Sequence, residues 1–428
     1  MKILMICSTF PYPPSKGTIQ LRTFNLLKYL SQNHTITLIT QQSEEVTEAE
    51  IEQLRELLEE LVIFPQPQIP EAEEGIGEKV KRFRKFLQEG TPRQVLQLYS
   101  PEIQQWLDQA VESGEFEVIT CEHSLNEIYI RSEWQQSVRL VVNIHNSVYR
   151  SARNQLETGT AENQLKEQLN LQLLKRYEER YCSKFSAIVV TNPEDRRQIA
   201  ALEPEGKIVV IPNGVDLTKF PRRISDPGGH KLVLVGAMDN RPNIDAVRFF
   251  CLEVFPEILQ RYPDATIEIL EPQPVESVLE LGENQGITVV DSVSSTVECL
   301  HKATICVVPM QTGFGIKNKT LEAMATGVPI VSSDIGVEGL VVDGGEVPLR
   351  ALRANESAEY VYATSRLFEN RQLRKQLSEH GRALVEEKYS WQRAGELYEQ
   401  IISGGSVRRQ EAESKKQKND KADDGTSK

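Results

Sequence analysis

The sequence contains no long hydrophobic run. No segment reaches the ~18 apolar residues that a membrane-spanning helix requires. The apolar start, residues 1–7, passes directly into Ser8-Thr9-Phe10-Pro11 and is too short for a signal-peptide core. We therefore expect a cytoplasmic protein.

The chain also lacks paired cysteines. Its six cysteines are scattered, none forms a CxxC pair, and no histidine spacing suggests a metal site. In a chain of 428 residues this pattern is typical of reduced thiols that are mostly buried. The sequence therefore predicts no metal centre.

An excess of positive charge is lacking as well. There are 49 Lys and Arg residues against 62 Asp and Glu residues, which gives a formal net charge of −13. Sequence-independent binding of nucleic acid requires a cationic surface that displaces counterions, so we expect no nucleic-acid partner. The charge is uneven, because residues 41–75 are strongly acidic and residues 79–87 are basic.

Short apolar runs alternate with longer amphipathic segments, as in parallel sheets with crossover helices. The predicted strands of the first half are Lys2–Cys7, Thr35–Thr40, Leu61–Phe64, Phe116–Thr120, Leu140–Ile144, Ala187–Thr191 and Ile208–Ile211. Those of the second half are Lys231–Val235, Thr266–Leu270, Ile287–Val290, Thr304–Val308, Pro329–Ser332 and Leu340–Val342. This pattern predicts an α/β protein with two doubly wound halves, joined near residue 213, whose ligands bind in the cleft between them.

Two turns of the first half carry candidate binding residues. Gly17 precedes a predicted helix at Gly17–Ser31, where a glycine lets an anion approach the N–H groups, and Arg22 lies one turn further. His145 follows a strand, so it lies at the edge where ligands bind. The alternatives are an ordinary proline-rich turn for Gly17 and a structural role for a lone histidine.

Two turns of the second half carry further candidates. In the segment 313–329, glycines precede a helix with lysines and Glu322, a combination that suits a diphosphate beside a diol. A P-loop would need glycine before Lys319, where Asn318 stands, so the NTPase alternative is disfavoured. Arg241 places a permanent cation after the strand ending near Gly236, although it could simply begin a surface helix.

Together the four turns predict a nucleotide diphosphate bound mainly by the second half, with a reacting group held against the first. No GxGxxG motif supports a nicotinamide or flavin dinucleotide. A sugar-nucleotide epimerase would need acid and base carboxylates, and we find no such pair at the predicted strand ends.

Two motifs carry a resemblance to a known family. Ile211–Asp216 and Lys319–Pro329 resemble the retaining glycosyltransferases of family four, across residues 1–402. Further segments are similar to the sugar transferases of exopolysaccharide and exosortase gene clusters. These segments are Pro11–Arg22, Ile144–Arg150, Gly236–Val247 and Glu387–Trp391. The resemblance implies a GT-B fold, in which two Rossmann-like domains face each other across a cleft.

The resemblance also implies domain boundaries. Residues 1–212 form the acceptor-side domain, and residues 213–382 form the nucleotide-sugar domain. Residues 383–402 form a helix that returns to the first domain. Residues 403–428 are a polar tail that buries too little surface to order.

The implied activity is transfer of a sugar, with retention, from a UDP-, GDP- or ADP-sugar. The acceptor is a sugar, a lipid-linked sugar or a glycolipid in the synthesis of cell-surface polysaccharide or glycolipid. The enzyme is of the hexosyltransferase type (EC 2.4) and requires no metal. In this family the leaving diphosphate takes the acceptor proton, and fixed cations stabilise the charge that develops.

Residue roles follow from the matched motifs. Glu322 matches the carboxylate that binds the donor ribose, and Arg241 and Lys319 match cations that bind the diphosphate. His145 matches a histidine that contacts the donor sugar, and Gly17 matches a glycine loop near the donor. The implied donor-binding set is Gly17, Lys16, Arg22, Gly236, Gly315, Asn318 and Glu322, and the implied catalytic set is His145, Arg241, Lys319 and Glu322.

Several positions depart from the family pattern. Phe314 replaces the first of two glutamates, and Lys16 replaces the first loop glycine. Glu271-Pro272 and Asp291-Ser292 stand where many relatives have glycines. These changes leave the donor open, and they leave open a catalytically degenerate protein that binds nucleotide or a protein partner without turnover.

The basic segment 79–87 has apolar residues at helical spacing between its cations Lys81, Arg82, Arg84 and Lys85. This spacing predicts an amphipathic helix that rests on an anionic membrane surface, so that the protein is peripheral at the inner face. The alternative is an ordinary surface helix with a solvated charged face.

Overall fold

The computed structural model describes residues 1–67, 91–145, 147–157, 164–204, 206–236, 241–270, 274–290, 296–313 and 315–404. The chain divides into two compact units. The first unit contains Met1–Ile211 and the chain from Gly395 onward, and the second contains Pro212–Ala394. The basic segment 79–87 and the positions Glu271, Asp291 and Phe314 lie outside the described residues.

The first unit is built on a parallel sheet. Its strands are β1 (Lys2–Cys7), β2 (Thr35–Gln42), β3 (Glu60–Pro65), β4 (Val118–Glu122), β5 (Arg139–Ile144), β6 (Ala187–Val190) and β7 (Ile208–Val210). Their order is β3-β2-β1-β4-β5-β6-β7. In the central strand β1, Ile6 pairs with Ile39 of β2 on one side and with Cys121 of β4 on the other. The inner strands β1, β4 and β5 are buried along almost their whole length because helices cover both faces of such a sheet.

Helices cover this sheet. They are α1 (Thr18–Leu30), α2 (Glu48–Arg55), α3 (Arg93–Gln97), α4 (Pro101–Glu112), α5 (Val148–Glu157), α6 (Gln164–Cys182) and α7 (Pro193–Leu202). Helix α1 buries Leu26, Leu27 and Leu30 together with Arg22 and Thr23.

The second unit has a parallel sheet of its own. Its strands are β8 (Lys231–Val235), β9 (Thr266–Leu270), β10 (Ile287–Val290), β11 (Ile305–Val308), β12 (Ile330–Ser332) and β13 (Leu352–Arg353), in the order β10-β9-β8-β11-β12-β13. Its helices are α8 (Arg241–Phe249), α9 (Phe255–Arg261), α10 (Glu276–Leu279), α11 (Thr296–Lys302), α12 (Asn318–Thr326), α13 (Ser357–Glu369) and α14 (Arg371–Lys388). The last helix, α15 (Trp391–Ile402), begins in this unit and ends in the first.

The sequence prediction differs from the structure at the edge of the second sheet. The predicted strand Leu340–Val342 is wrong, and the edge strand is Leu352–Arg353, which pairs with β12. Leu340 and Val342 are apolar because they pack into the core without pairing. The amphipathic segment that follows β8 forms two helices, α8 and α9, separated by a π-helical turn at Phe250–Val254 just before a proline that cannot donate a backbone hydrogen bond.

The segment 383–402 is not one continuous helix. Helix α14 ends at Lys388, and α15 begins at Trp391. Between them Ser390 forms an isolated parallel bridge with Val215. The backbone leaves the helix here because its polar groups pair with the start of the second unit.

The six cysteines are free, and all except Cys299 are buried. Among the helices that the structure describes, none is both long enough and apolar enough to cross a membrane.

Candidate functional site

In the second unit, the candidate residues follow the two strands at which the strand order reverses. β8 and β11 are neighbours, while β9 lies beyond β8 and β12 lies beyond β11. Ligands of open parallel sheets bind beyond the carboxyl ends of such strands. Gly236 directly follows β8, and Gly315, Lys319 and Glu322 lie between β11 and the end of α12.

Lys319 is held in a defined position. Its Nζ donates a hydrogen bond to Oδ1 of Asn243 at 2.7 Å and lies 3.4 Å from Sδ of Met310. Asn243 is buried on α8, so it is fixed by packing. The cation therefore bridges the segment after β8 and the segment after β11.

Glu322 lies three residues after Lys319 on α12, and positions three apart share one helix face. It is partly buried, and among the described residues its carboxylate has no hydrogen-bond partner. Burial raises the pKa of Glu322, although Lys219 and Lys319 act to lower it. A carboxylate that is short of donors can accept hydrogen bonds from two neighbouring hydroxyl groups.

The turn before α12 is shaped by Gly315 and Lys317. Gly315 adopts a φ of 72°, a left-handed conformation that favours glycine. Nζ of Lys317 donates a hydrogen bond to the carbonyl oxygen of Gly315 at 2.7 Å and lies 3.8 Å from Oε2 of Glu338. Helix α12 then begins at Asn318 without a side-chain cap, so its first N–H groups can donate hydrogen bonds to an anionic ligand.

Arg241 differs from these residues in its exposure to solvent. It is the first residue of α8, its side chain is 91% exposed, and its Nε lies 3.6 Å from Asp245. The α8 side chain that contacts Lys319 is Asn243.

In the first unit, the strand order reverses between β1 and β4. Arg22, on the helix that follows β1, is buried, and its Nε donates to Oδ1 of Asn143 at 3.0 Å. Burial lowers the pKa of Arg22 to about 10, while the charge of Glu122 acts to raise it. Arg22 is therefore a cation enclosed beneath the strand ends.

Glu122 ends β4 and is completely buried. Its carboxylate accepts hydrogen bonds from Nδ2 of Asn143 at 2.7 Å and from Oη of Tyr398 at 2.6 Å. Burial alone would raise the pKa of Glu122, but His145, Tyr398 and Asn143 together lower it below its usual range. Glu122 is therefore a buried carboxylate at neutral pH.

His145 follows β5 and is 6% exposed. Its Nε2 lies 3.9 Å from Oε2 of Glu122, too far for a hydrogen bond, and among the described residues neither ring nitrogen has a hydrogen-bond partner. Burial lowers the pKa of His145 although Glu122 acts to raise it, so the ring is neutral at pH 7. Buried polar atoms are nearly always paired, so these nitrogens are candidates for ligand contact.

The start of α1 borders a cavity in the same unit. Gly17 precedes the helix in an extended conformation, and Nζ of Lys16 lies 3.0 Å from Glu50. A cavity of about 150 Å³ lies beside them, and Gln41 and Tyr12 are among its lining residues. Gln41 is buried, and its Oε1 has no hydrogen-bond partner among the described residues.

The structure therefore brings Arg22 and His145 together in the first unit, and Lys319 and Glu322 together in the second. Sequence reasoning did not assign roles to Glu122, Asn143, Tyr398, Lys219 and Asn243. Glu122 had a usable signal, because a charged residue directly follows the apolar run of a strand. Tyr398 and Lys219 had none, because their contacts depend on the fold.

Metal-binding groups were sought in the same regions. Within the part of the chain that the structure describes, no three His, Cys, Asp or Glu side chains come together as a metal site.

The fold is similar to that of several solved structures. Sucrose-phosphate synthase from Thermosynechococcus elongatus aligns with a TM-score of 0.62 and 15% identity, over 95% of this chain and 100% of that chain. HepE from Anabaena, in complex with UDP and glucose, aligns with a TM-score of 0.57 and 14% identity, over 94% and 99%. TarM from S. aureus, a variant in complex with UDP, fondaparinux and α-GlcNAc-glycerol, aligns with a TM-score of 0.61 and 12% identity, over 94% and 99%. The chain has the GT-B fold, with two Rossmann-like domains.

Two family models match the sequence. Residues 229–370 match the model for glycosyl transferases group 1, and residues 19–219 match the model for glycosyltransferase family 4. No curated protein matches the sequence significantly. Each of the two compact units is thus similar to a glycosyltransferase family model.

Proposed function

We propose that the protein is an active, retaining glycosyltransferase of the hexosyltransferase type. It moves a sugar from a nucleotide-diphosphate donor to an acceptor in the synthesis of cell-surface polysaccharide or glycolipid. The observation that carries this proposal is the pair on α12, in which Lys319 is fixed by Asn243 and Glu322 has no partner among the described residues.

The proposed donor site lies in the second unit. Glu322 accepts hydrogen bonds from the ribose hydroxyls, and Lys319 neutralises the diphosphate. Gly315, Asn318 and the N-terminus of α12 receive phosphate oxygens, and the exposed Arg241 supplies a second cation. HepE was solved with UDP and with UDP-glucose, so a UDP-sugar is the first donor to test.

In the proposed reaction the acceptor hydroxyl oxygen bonds to the anomeric carbon, and the bond from that carbon to the diphosphate oxygen breaks. The hydroxyl proton passes to the departing phosphate oxygen on the same face, so the configuration is retained. Negative charge that builds on the diphosphate is stabilised by Lys319, which is already in place. His145 contacts the donor sugar with a ring nitrogen that has no other partner among the described residues. The reaction requires no metal.

The proposed acceptor site lies in the first unit. The cavity beside Gly17 presents amide, hydroxyl and aromatic groups, including Gln41 and Tyr12. The Oε1 of Gln41, which lacks a hydrogen-bond partner in the described part of the chain, suits a hydroxyl donor of an acceptor sugar.

The test is a transfer assay with purified protein and UDP-, GDP- and ADP-sugars. Glu322→Gln is expected to weaken donor binding about 10- to 100-fold, since hydrogen bonds to a charged group contribute ~1.5–3 kcal/mol. His145→Ala is expected to lower kcat about 100-fold. Glu283→Gln, an exposed carboxylate of the same unit, is the matched control and should leave both quantities unchanged.

The alternative is a degenerate GT-B protein that binds without turnover. If nucleotide binds but no donor is hydrolysed or transferred, this alternative replaces the proposed activity. Turnover that neither substitution reduces would assign the reaction to other residues.

We also propose that residues 79–87 hold the protein at the inner face of the membrane. This segment lies outside the described residues, and the support is its sequence pattern of cations and apolar side chains. Sedimentation with anionic liposomes is expected to bring the protein down, and replacing Lys81, Arg82, Arg84 and Lys85 by Gln should abolish this. Binding that does not depend on these charges would overturn the proposal.

A further inference from the structure

The carboxylate of Glu122 connects separate elements of the first unit. From β5, Asn143 donates a hydrogen bond to it at 2.7 Å and in turn accepts one from Arg22 of α1 at 3.0 Å. From α15, Tyr398 donates at 2.6 Å across 276 positions of sequence. His145 lies 3.9 Å away. One carboxylate thus links the final helix to the side chains around His145.

Solvent does not screen this charge, because Glu122 is 0% exposed. A glutamine here would keep only one acceptor oxygen, so either the Tyr398 hydroxyl or the Asn143 amide would lose its acceptor, and the negative charge near the buried cation Arg22 would be gone. Each of these losses is costly in a buried site. Among the described residues, the titratable and charged groups that act on Glu122 or His145 include Arg22, Tyr398, His123, Cys7 and Cys121.

A purely structural anchor for α15 would not need to approach His145. The carboxylate of Glu122 instead lies close to both Tyr398 and the imidazole of His145. Neither ring nitrogen of His145 has a hydrogen-bond partner among the described residues. The ring of His123 packs edge-on against that imidazole, with 5.3 Å between ring centroids and 67° between the ring planes. His145 therefore has both Glu122 and His123, at the end of β4, as close neighbours.

We propose that Glu122 is a positioning residue of the sugar-transfer site, which orients Asn143 and Arg22 and sets the electrostatic environment of His145. This inference rests on the proposed function for its catalytic consequence. The geometric part, that Glu122 controls the state of His145, does not depend on turnover.

The test compares Glu122→Gln, which removes the charge, with Tyr398→Phe, which keeps the charge and removes one hydrogen bond. The ring signals of His145 are followed by NMR in a pH titration. In Glu122→Gln, His145 is expected to take up its proton at lower pH than in the natural protein, because the anion that favours its charged form is gone. In Tyr398→Phe the titration should stay in place.

The kinetic arm measures kcat and the KM for the donor separately. Glu122→Gln is expected to lower kcat about 10- to 100-fold with little change in the donor KM, because a misplaced reacting group slows chemistry while the donor is bound by the second unit. Tyr398→Phe is expected to lower kcat a few-fold. If Glu122→Gln does not fold, an unchanged kcat in Tyr398→Phe overturns the proposal and a reduced kcat at constant KM supports it.

An unchanged His145 titration in folded Glu122→Gln would also overturn the proposal. If the natural protein shows no transfer with any donor, the proposed function fails, and the NMR comparison still decides the role of Glu122.

Discussion

Among single residues, Glu178 is a buried carboxyl whose raised pKa makes stability depend on pH. It lies on α6, is completely buried, and accepts hydrogen bonds from Oγ of Ser147 at 2.9 Å and Nε2 of Gln198 at 3.1 Å. Burial raises the pKa of Glu178 to about 7, although these donors act to lower it. In the unfolded chain the same carboxyl has its ordinary pKa of 4.5.

The pH dependence follows from this difference. Between pH 4.5 and about 7 the folded protein binds the Glu178 proton more tightly than the unfolded chain does. This contribution to stability is fully present below pH 4.5 and is lost as the pH rises through about 7, at ~1.4 kcal/mol per pKa unit. Between pH 5 and pH 8, the free energy of unfolding is expected to fall less in Glu178→Gln than in the natural protein. The difference between the two falls should be roughly 2–3 kcal/mol, as measured by denaturant unfolding.

Glu179→Gln provides the control for this substitution. Glu179 is the next residue on α6, its side chain is 40% exposed, and it lies 3.6 Å from Lys175. Its replacement should leave the pH dependence as it is. Equal slopes in the natural protein and in Glu178→Gln would show that the buried carboxyl does not titrate in this range.

The sequence predicted which residues belong to the candidate site only where they are part of a local sequence pattern. His145 follows an apolar strand, and Lys319 and Glu322 lie in a continuous motif, so each was found from the sequence. Asn243 was not, because its contact with Lys319 joins positions 76 residues apart. The sequence left open whether Arg241 binds a ligand or begins a surface helix, and only the packing of α8 shows that its side chain is exposed.

Among the elements, the segment Ile211–Asp216 has a structural explanation. The N–H of Val215 donates to the carbonyl of Tyr389 at 2.7 Å, and the N–H of Trp391 donates to the carbonyl of Val215 at 3.3 Å. A Cβ on Gly214 would lie 2.5 Å from the carbonyl carbon of Ser390. The glycine of this motif therefore permits two backbone segments of the second unit to approach each other.

Gly214→Ala is accordingly expected to destabilise the second unit. The clash involves backbone atoms that cannot rotate away, so a cost of about 1–3 kcal/mol is expected in the free energy of unfolding. Gly282→Ala is the matched control, because its Cβ would lie 3.7 Å from Val289, an ordinary contact. Denaturant unfolding of both variants tests this, and similar stabilities would contradict the expectation.

The strands were largely predictable because continuous apolar runs are required where a parallel sheet is covered on both faces. The edge strand of the second sheet was not predictable. Leu340–Val342 is as apolar as a strand, yet Leu340 and Val342 pack into the core and the edge strand that pairs with β12 is Leu352–Arg353. The break between α14 and α15 was also not predictable, because it depends on the bridge from Ser390 to Val215.

At the scale of the whole molecule, the first unit is discontinuous in sequence. The end of α15 buries Tyr398, Ile401 and Ile402 in it. Glu399 accepts a hydrogen bond from Oη of Tyr29 at 3.2 Å and lies 2.7 Å from Nε2 of His34. The last described residues therefore complete a unit that begins at Met1.

Truncation tests this dependence. A chain that ends at Ala394 loses three buried side chains, each contributing ~1.5–3 kcal/mol, so the first unit should melt at least roughly 10 °C lower. A chain that ends at Gly404 keeps α15 and loses only the polar residues beyond it, so its melting should match that of the full chain. Calorimetry of the three chains distinguishes these outcomes, and equal melting of the two truncated chains would refute the role of α15.

By itself, the sequence determined that this protein has two α/β halves, that a motif with Lys319 and Glu322 follows a strand of the second, and that His145 ends a strand of the first. These features are encoded in short apolar runs and in the residues that directly follow them. The tertiary structure decided which side chains surround them, Asn243 beside Lys319 and Glu122 with Tyr398 beside His145. Such partners come from distant positions, and only the strand order and the packing of the last helix bring them within hydrogen-bonding distance.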